Sequence, residues 1–350
     1  LDVDCDELSL YFPFLRDGRI SNDRISSWKV HGFSNATFPQ PAQKISLELR
    51  QKYFKYEQEA GEILTQRIPN LDEVEVVNTI SSGCESMSDV NVIVFNLQRG
   101  GHWLAAAELL RKFSPDVVIL NEMDIGMSRS GQQHTARLLA MELQMNYAWA
   151  LEFVELTRGT KHEQMKTENL TDFEGLHGNA ILSRCQLKDP VVFRDKIGGY
   201  FSDKKVGLNA HGYEKRLGGR MILLVKALVD DGQTIVLGSM HKGSMLEEVK
   251  GYANGSVTIL GGDQGRDTCG KLGLVLSENS NYTWPVSCAT NTYGRGTGDI
   301  LCVSANENVM LRTEVHLPCF TSSHQIVQIS DHAVVYSKLR MEQMSTMTYF

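Results

Sequence analysis

Residues 116–124 read Asp-Val-Val-Ile-Leu-Asn-Glu-Met-Asp, four mostly β-branched apolar residues running straight into polar ones. A short continuous apolar run with polar boundaries describes a strand buried on both faces. Strands buried on both faces are typical of α/β folds, whose sheets are covered on both sides. In open sheets of that kind, ligands collect beyond the carboxyl ends of the strands. A carboxylate placed there is costly unless it is paired or bound to a cation. Glu122 is therefore a candidate metal ligand, against the simpler alternative of a strand-end acid facing water.

The chain around this stretch is regular. Residues 91–95 form a predicted strand and 102–113 a helix, followed by the strand from 116, a helix over 132–143 and a strand over 148–156. A polar stretch over 157–178 is expected to be a surface loop, 179–183 a short strand, and 186–218 loop-like, with glycines at 198, 199, 207 and 212. The apolar runs 221–229 and 234–239 flank Asp230-Asp231-Gly232, a hairpin signal. Further strands are predicted over 256–260, 299–303 and 332–337. Upstream, 1–40 has no period and 42–67 has helical spacing stopped by Pro69. The expected organisation is an N-terminal arm and helical extension packed on the core (1–89), a catalytic domain (90–339) and a C-terminal tail (340–350).

Polar residues sit at one strand boundary after another: Asn96, Glu122, His241, Asp263, Asp299, and the pair Asp331-His332. One such boundary carries no information, but six together are what a convergent site requires. The ordered set Phe95-Asn96, Leu120-Asn121-Glu122, Gly178-Asn179-Ala180-Ile181-Leu182-Ser183-Arg184, Met240-His241, Gly262-Asp263, Asp299-Ile300 and Ser330-Asp331-His332 resembles the endonuclease/exonuclease/phosphatase superfamily, with its deoxyribonuclease I-like fold. The resemblance covers about residues 90–339.

The resemblance implies a four-layer α-β-β-α sandwich of two mixed sheets and a metal-dependent phosphoester site at one edge. Glu122 would hold Mg²⁺, or Mn²⁺ or Ca²⁺ in its place, with Asn96 helping to position the cation and the scissile phosphate. His332 would bind a phosphate oxygen and be oriented by Asp331, while His241 would pair with Asp299. Asp263 would orient or deprotonate the attacking water. Arg184 would contact the phosphate and Asn179 is a further substrate candidate, while Arg220, read from its place beside Gly218-Gly219 and not from the resemblance, would grip substrate or lie in a surface turn. These roles agree with the chemistry, since phosphoester hydrolysis needs a positioned nucleophile and neutralised phosphoryl oxygens. One departure stands out. The usual run is Gly-Asp-x-Asn, whereas here it is Gly262-Asp263-Gln264-Gly265. Losing one oxyanion donor costs ~10²–10³ in rate, unless Gln264 or Asp267 substitutes.

Less weight falls on the remaining polar residues. Asp124, Arg129 and Ser130 are expected in a solvated loop, Arg216 in a surface turn and 161–166 on a solvated face. Trp284 lies in an aromatic loop that would border the site or pack in the core.

Composition narrows the reading further. A net charge of -7 gives no general attraction to nucleic acid or anionic membrane, though a local basic groove remains compatible with it. No apolar run approaches the ~18 residues of a membrane span. Four of the seven cysteines fall in the last 82 residues, allowing one or two disulfides there or, equally, reduced and buried thiols. Sequons at Asn35, Asn169, Asn254 and Asn281 lean toward the secretory pathway or an extracellular setting without fixing the compartment. The functional expectation is a divalent-metal-dependent phosphoesterase (phosphodiesterase, nuclease or phosphatase) acting on nucleic acid, a lipid head group or a metabolite. The alternative is a catalytically weakened relative serving as a binding or structural subunit.

Overall fold

The computed structural model describes residues 70–79, 89–170, 172, 174–195, 199–202, 214–229, 233–276, 286–290, 292–293, 298–304, 309–321 and 326–341, with Glu48 and Ile68 besides. The expected N-terminal arm, most of the 42–67 helix, the hairpin turn 230–232, Trp284 and the tail beyond 341 lie outside them. In chain order the strands are β1 (Val74–Val77), β2 (Asp89–Asn96), β3 (Val117–Ile125), β4 (Asn146–Glu155), β5 (Leu176–Ser183), β6 (Gln186–Arg194), β7 (Gly199–Ser202) and β8 (Lys215–Gly218). They continue with β9 (Met221–Leu228), β10 (Thr234–Met240), β11 (Thr258–Asp263), β12 (Leu274–Leu276), β13 (Val286–Ser287), β14 (Thr292–Tyr293) and β15 (Asp299–Ser304). The last are β16 (Val309–His316), β17 (Cys319–Thr321), β18 (Ile326–Gln328) and β19 (Val334–Met341). The helices are α1 (Trp103–Arg111), α2 (Thr135–Leu143), α3 (Lys161–Lys166), α4 (Leu246–Ala253) and α5 (Asp267–Leu272).

Two mixed sheets carry the fold. The first has the order β16-β19-β2-β3-β5-β4-β8-β7 with β1 added on β4, and the second runs β12-β15-β11-β10-β9-β6. Alternation along the strands decides what each face buries. On β2 and β3, Ile93, Phe95, Val118 and Leu120 face α1 and α2, where they meet Ala106, Leu110, Ala136 and Leu139. Their neighbours Val92, Val94, Val117 and Ile119 face the second sheet and pack against Val225, Leu237, Ile259 and Leu301. The outer face of the second sheet, through Leu224, Val236 and Leu260, is covered by Val249 of α4 and Cys269 and Leu272 of α5. Helix, sheet, sheet, helix is the four-layer sandwich expected. Each fully buried aliphatic side chain contributes roughly 1.5–3 kcal/mol.

Three local expectations change. The core sheet begins at β1, whose Val74–Val77 pairs antiparallel with β4 from Val74↔Ala150 to Val77↔Tyr147, so it starts before residue 90. The loop-like stretch 186–218 contains β6, β7 and β8. These are edge or near-edge strands, which tolerate the Lys188-Asp189-Pro190 and glycine content that hid them. The 157–178 loop contains α3, started by a capping box between Thr160 and Glu163. Two disulfides join the C-terminal cysteines, Cys269–Cys302 and Cys288–Cys319. No helix among the described residues is long and apolar enough to cross a membrane.

Candidate active site

Parallel pairing aligns the carboxyl ends of the central strands, with Asn96 of β2 opposite Asn121 of β3 and Ser239 of β10 opposite Gly261 of β11. The two sheets are then tied at that edge by side chains. Asn121 Nδ2 donates to Ser239 Oγ (3.1 Å), Ser239 Oγ donates to Leu120 O (2.9 Å), and Asn121 Oδ1 accepts the Asp263 backbone N–H (2.8 Å). Gly262, at φ +136°, allows this approach, since a Cβ there would lie 1.9 Å from Met240 O and 2.6 Å from Asn121 Oδ1.

Glu122 is placed by a β-bulge. The pairing of β3 with β5 shifts between Leu120 and Met123, and Glu122 sits at φ +60°. A bulge re-aims a side chain out of the strand alternation, and a left-handed non-glycine residue is uncommon enough to be a functional signal. Its Oε1 accepts from Asn96 Nδ2 (3.3 Å) and its Oε2 lies 3.4 Å from Arg99 Nη1. Burial opposes its ionisation, but Arg99 and the imidazoles of His177, His241 and His332 hold it well below the usual carboxylate range.

The two histidines are both held by carboxylates, although not the expected ones. His332 Nδ1 meets Asp299 Oδ2 at 2.8 Å, so Asp299 and not Asp331 orients it. Asp299 opens β15 opposite Asp263 of β11, whereas Asp331 precedes His332 in the bend before β19. Asp331 contributes charge from a distance. His241 Nδ1 meets Glu152 Oε2 at 2.8 Å, so its partner is Glu152 and not Asp299. Glu152 lies at the second bulge, where β4 shifts register against β5 between Leu151 and Phe153. Its other oxygen accepts from Arg220 Nη1 (2.8 Å). Burial opposes the charge on Glu152, yet His241 and Arg220 bring it down to about 2.

Burial also works against the His332 cation, but the Asp299 carboxylate, with Asp331 and Glu122 behind it, raises it to about 9. Burial pushes Asp299 up as well. The imidazole is the stronger base of the two, so the proton of the pair resides on His332 at neutral pH. Asp263 Oδ2 lies 3.6 Å from His241 Nε2 and 3.0 Å from Lys242 Nζ.

Asn96, Glu122, His241, Asp263, Asp299 and His332 thus fall in one connected set. Asn179, on β5 opposite the β3 bulge, keeps its buried Oδ1 without a hydrogen-bond partner among the described residues. Arg220 joins the set through Glu152. Arg184 does not. It follows the far end of β5, where its backbone and guanidinium bond Asp116 O and Pro115 O before β3 begins, and its side chain is half exposed. A residue beyond β5, which runs antiparallel to β3, lies at the opposite end of the sheet from Glu122.

Behind Glu122 is a buried ionic network in place of the expected solvated loop. Arg129 bonds Asp124 (2.8 and 3.0 Å), Glu155 (3.0 Å) and Glu214 (3.0 Å). Arg99, left-handed at φ +71°, bonds Glu214 (2.9 Å) and lies 3.3 Å from His177 Nε2, while His177 Nδ1 lies 2.7 Å from Asp124 Oδ1. Sequence reasoning missed Arg99, Glu152, His177 and Glu214. Glu152, an acid in the middle of an apolar strand, was the one with a visible signal.

No protein-family model matches the sequence, and no curated protein does. Among solved structures the chain is similar to an endonuclease/exonuclease/phosphatase from Beutenbergia cavernae (16% identity, 73% of this chain and 72% of that one, TM-score 0.44). It is also similar to a mannosyl-6-phosphatase from Bacteroides thetaiotaomicron (15%, 71% and 99%, 0.44) and to the human Nocturnin catalytic domain with bound sulfate (12%, 81% and 99%, 0.46). At such identities and TM-scores these likenesses carry no argument about this chain.

Proposed function

We propose that this cleft hydrolyses a phosphoester by direct attack of water with the help of a divalent metal ion. The observation that carries the reading is Glu122, a carboxylate kept ionised beside an amide and two carboxylate-held histidines at the open end of both sheets. The Glu122 oxygens would suit a hard cation, since Mg²⁺ takes one or two carboxylates and leaves its other positions to water and substrate, and Asn96, whose Nδ2 donates to Glu122, would position that carboxylate. Bound there, such a cation supplies charge neutralisation for the phosphoryl oxygens and the departing oxygen.

The chain's own groups then have distinct tasks. His332, cationic at neutral pH, donates from Nε2 to a phosphoryl oxygen while Asp299 fixes its ring. Asp263 orients the attacking water and takes its proton as the P–O ester bond breaks and the ester oxygen leaves with the bonding electrons. His241 is fixed on its other side by Glu152, so Nε2 points toward Asp263 and the reacting phosphoryl group. Asn179 offers an amide oxygen to substrate. The ester could belong to a nucleic acid, a lipid head group or a metabolite. The two disulfides favour an oxidising compartment.

A second reading, a binding subunit with a weakened site, draws on Arg99, whose guanidinium already balances Glu122. Hydrolysis of an aryl phosphodiester and an aryl phosphomonoester with Mg²⁺, Mn²⁺ or chelator separates the two. Turnover that chelator abolishes supports the hydrolase, and metal binding without turnover of either ester supports the binding subunit.

A further inference from the structure

The donor expected two residues after Asp263 is absent, and neither neighbour replaces it. Gln264 spends its amide on the backbone, with Nε2 donating to Gly243 O (2.7 Å) and Oε1 accepting the Gly265 N–H (3.1 Å). Asp267 is exposed and pairs with Lys271 along α5. The group that does stand beside Asp263 is Lys242. Its backbone is left-handed at φ +52° and its N–H donates to Asp263 O (2.9 Å), which anchors the side chain at the end of β11. The ammonium lies 3.0 Å from Asp263 Oδ2, with the Lys242 side chain 57% exposed against 7% for Asp263. It therefore caps the carboxylate from the solvent side. An ammonium has three donors, and Asp263 uses one. Arg99, Arg129 and Arg220, by contrast, are each held by buried carboxylates.

We propose that Lys242 is a substrate-contacting residue whose ammonium donates to a phosphoryl oxygen, taking the place of the amide that Gly265 lacks. This rests on the reading of the cleft as a phosphoester site. A non-glycine residue held left-handed beside the reacting groups is the kind of local strain that persists at functional positions, and the charge suits an anionic oxygen.

The test uses the full chain and two readouts, binding of inorganic phosphate by calorimetry and turnover of the aryl esters. The variants are Lys242→Ala, Lys242→Arg, Lys242→Ala with Gly265→Asn, and Lys250→Ala as a charge-matched control on α4. Gly265 has no left-handed φ, and a Cβ there meets only Asp267 Oδ1 at 3.2 Å, the end of an exposed side chain that can yield. Lys242→Ala is expected to weaken phosphate about tenfold, the scale of one charge-assisted hydrogen bond. Lys242→Arg should keep most of the affinity and Lys250→Ala all of it. Where the esters turn over, the loss should fall on kcat, and Gly265→Asn should restore part of it. Phosphate binding unchanged in Lys242→Ala, or absent in the wild type, overturns the proposal. Phosphate binding that depends on Lys242 without turnover under any metal would sink the hydrolase reading and leave this one standing.

Discussion

Glu122 and Glu152 are the bulged acids of two strands that flank the same neighbour, β3 and β4 on either side of β5. The β3 shift falls at Asn179, between Ala180 and Gly178, and the β4 shift one step along, between Gly178 and His177, so Gly178 borders both. Gly178 fits there because a Cβ would lie 2.0 Å from Ala150 O. One bulge delivers the candidate metal carboxylate and the other delivers the carboxylate that holds His241. Strand alternation alone would have turned these acids elsewhere.

The role of Glu152 can be read directly. Glu152→Gln keeps the shape but removes the charge that fixes His241 and its tautomer. Turnover should fall on the order of 10²-fold, with little change in KM, in a steady-state comparison against wild type. Unchanged kcat would reduce Glu152 to a structural ion-pair partner of Arg220.

The His332–Asp299 pair sets a pH dependence. The folded pKa of about 9 lies above the ordinary 6.5, so the stability contributed by the pair is fully present below 6.5 and is lost as pH rises through about 9. A reaction that needs the imidazolium should lose rate over the same alkaline limb. Asp299→Asn should move that limb toward neutral pH, read from kcat/KM profiles of both proteins.

Arg129 is 3% exposed among Asp124, Glu155 and Glu214. Arg129→Met leaves buried carboxylates without their counter-charge and should cost about 3–5 kcal/mol. Urea unfolding would measure it. A loss under about 1 kcal/mol would mean that Arg99 and Arg216 take over the network.

Cys288–Cys319 closes a segment with a sequence separation of 31. The pair Cys288→Ser and Cys319→Ser should lower stability by about 3 kcal/mol, seen as a lower Tm under non-reducing conditions. Equal Tm values would show that the bond adds nothing to the folded state.

Much of this was legible in the sequence because it is local. The apolar runs of β3, β9 and β10 and the helical periods of α1 and α2 report burial residue by residue, and their order gives the sandwich. Short or polar edge strands such as β1 and β6 report little, because pairing and not composition makes them strands. Asn96, Glu122, His241 and His332 were visible as polar ends of apolar strands. Their partners were not, because Glu152 and His241 are separated by 89 residues and Asp299 and His332 by 33, and adjacency in sequence pointed to Asp331 instead. Asp124 and Arg129 looked like a solvated loop because their compensating charges come from β4, β5 and the residue before β8.

The most direct test of a metal-assisted hydrolase centred on Glu122 is turnover of aryl phosphoesters at saturating Mg²⁺ by the wild type, Glu122→Gln and His332→Ala, each checked for fold by Tm. The account predicts chelator-sensitive turnover that falls at least about 10²-fold in both variants, with Glu122→Gln also needing more metal. Turnover that survives Glu122→Gln at unchanged metal dependence would contradict it.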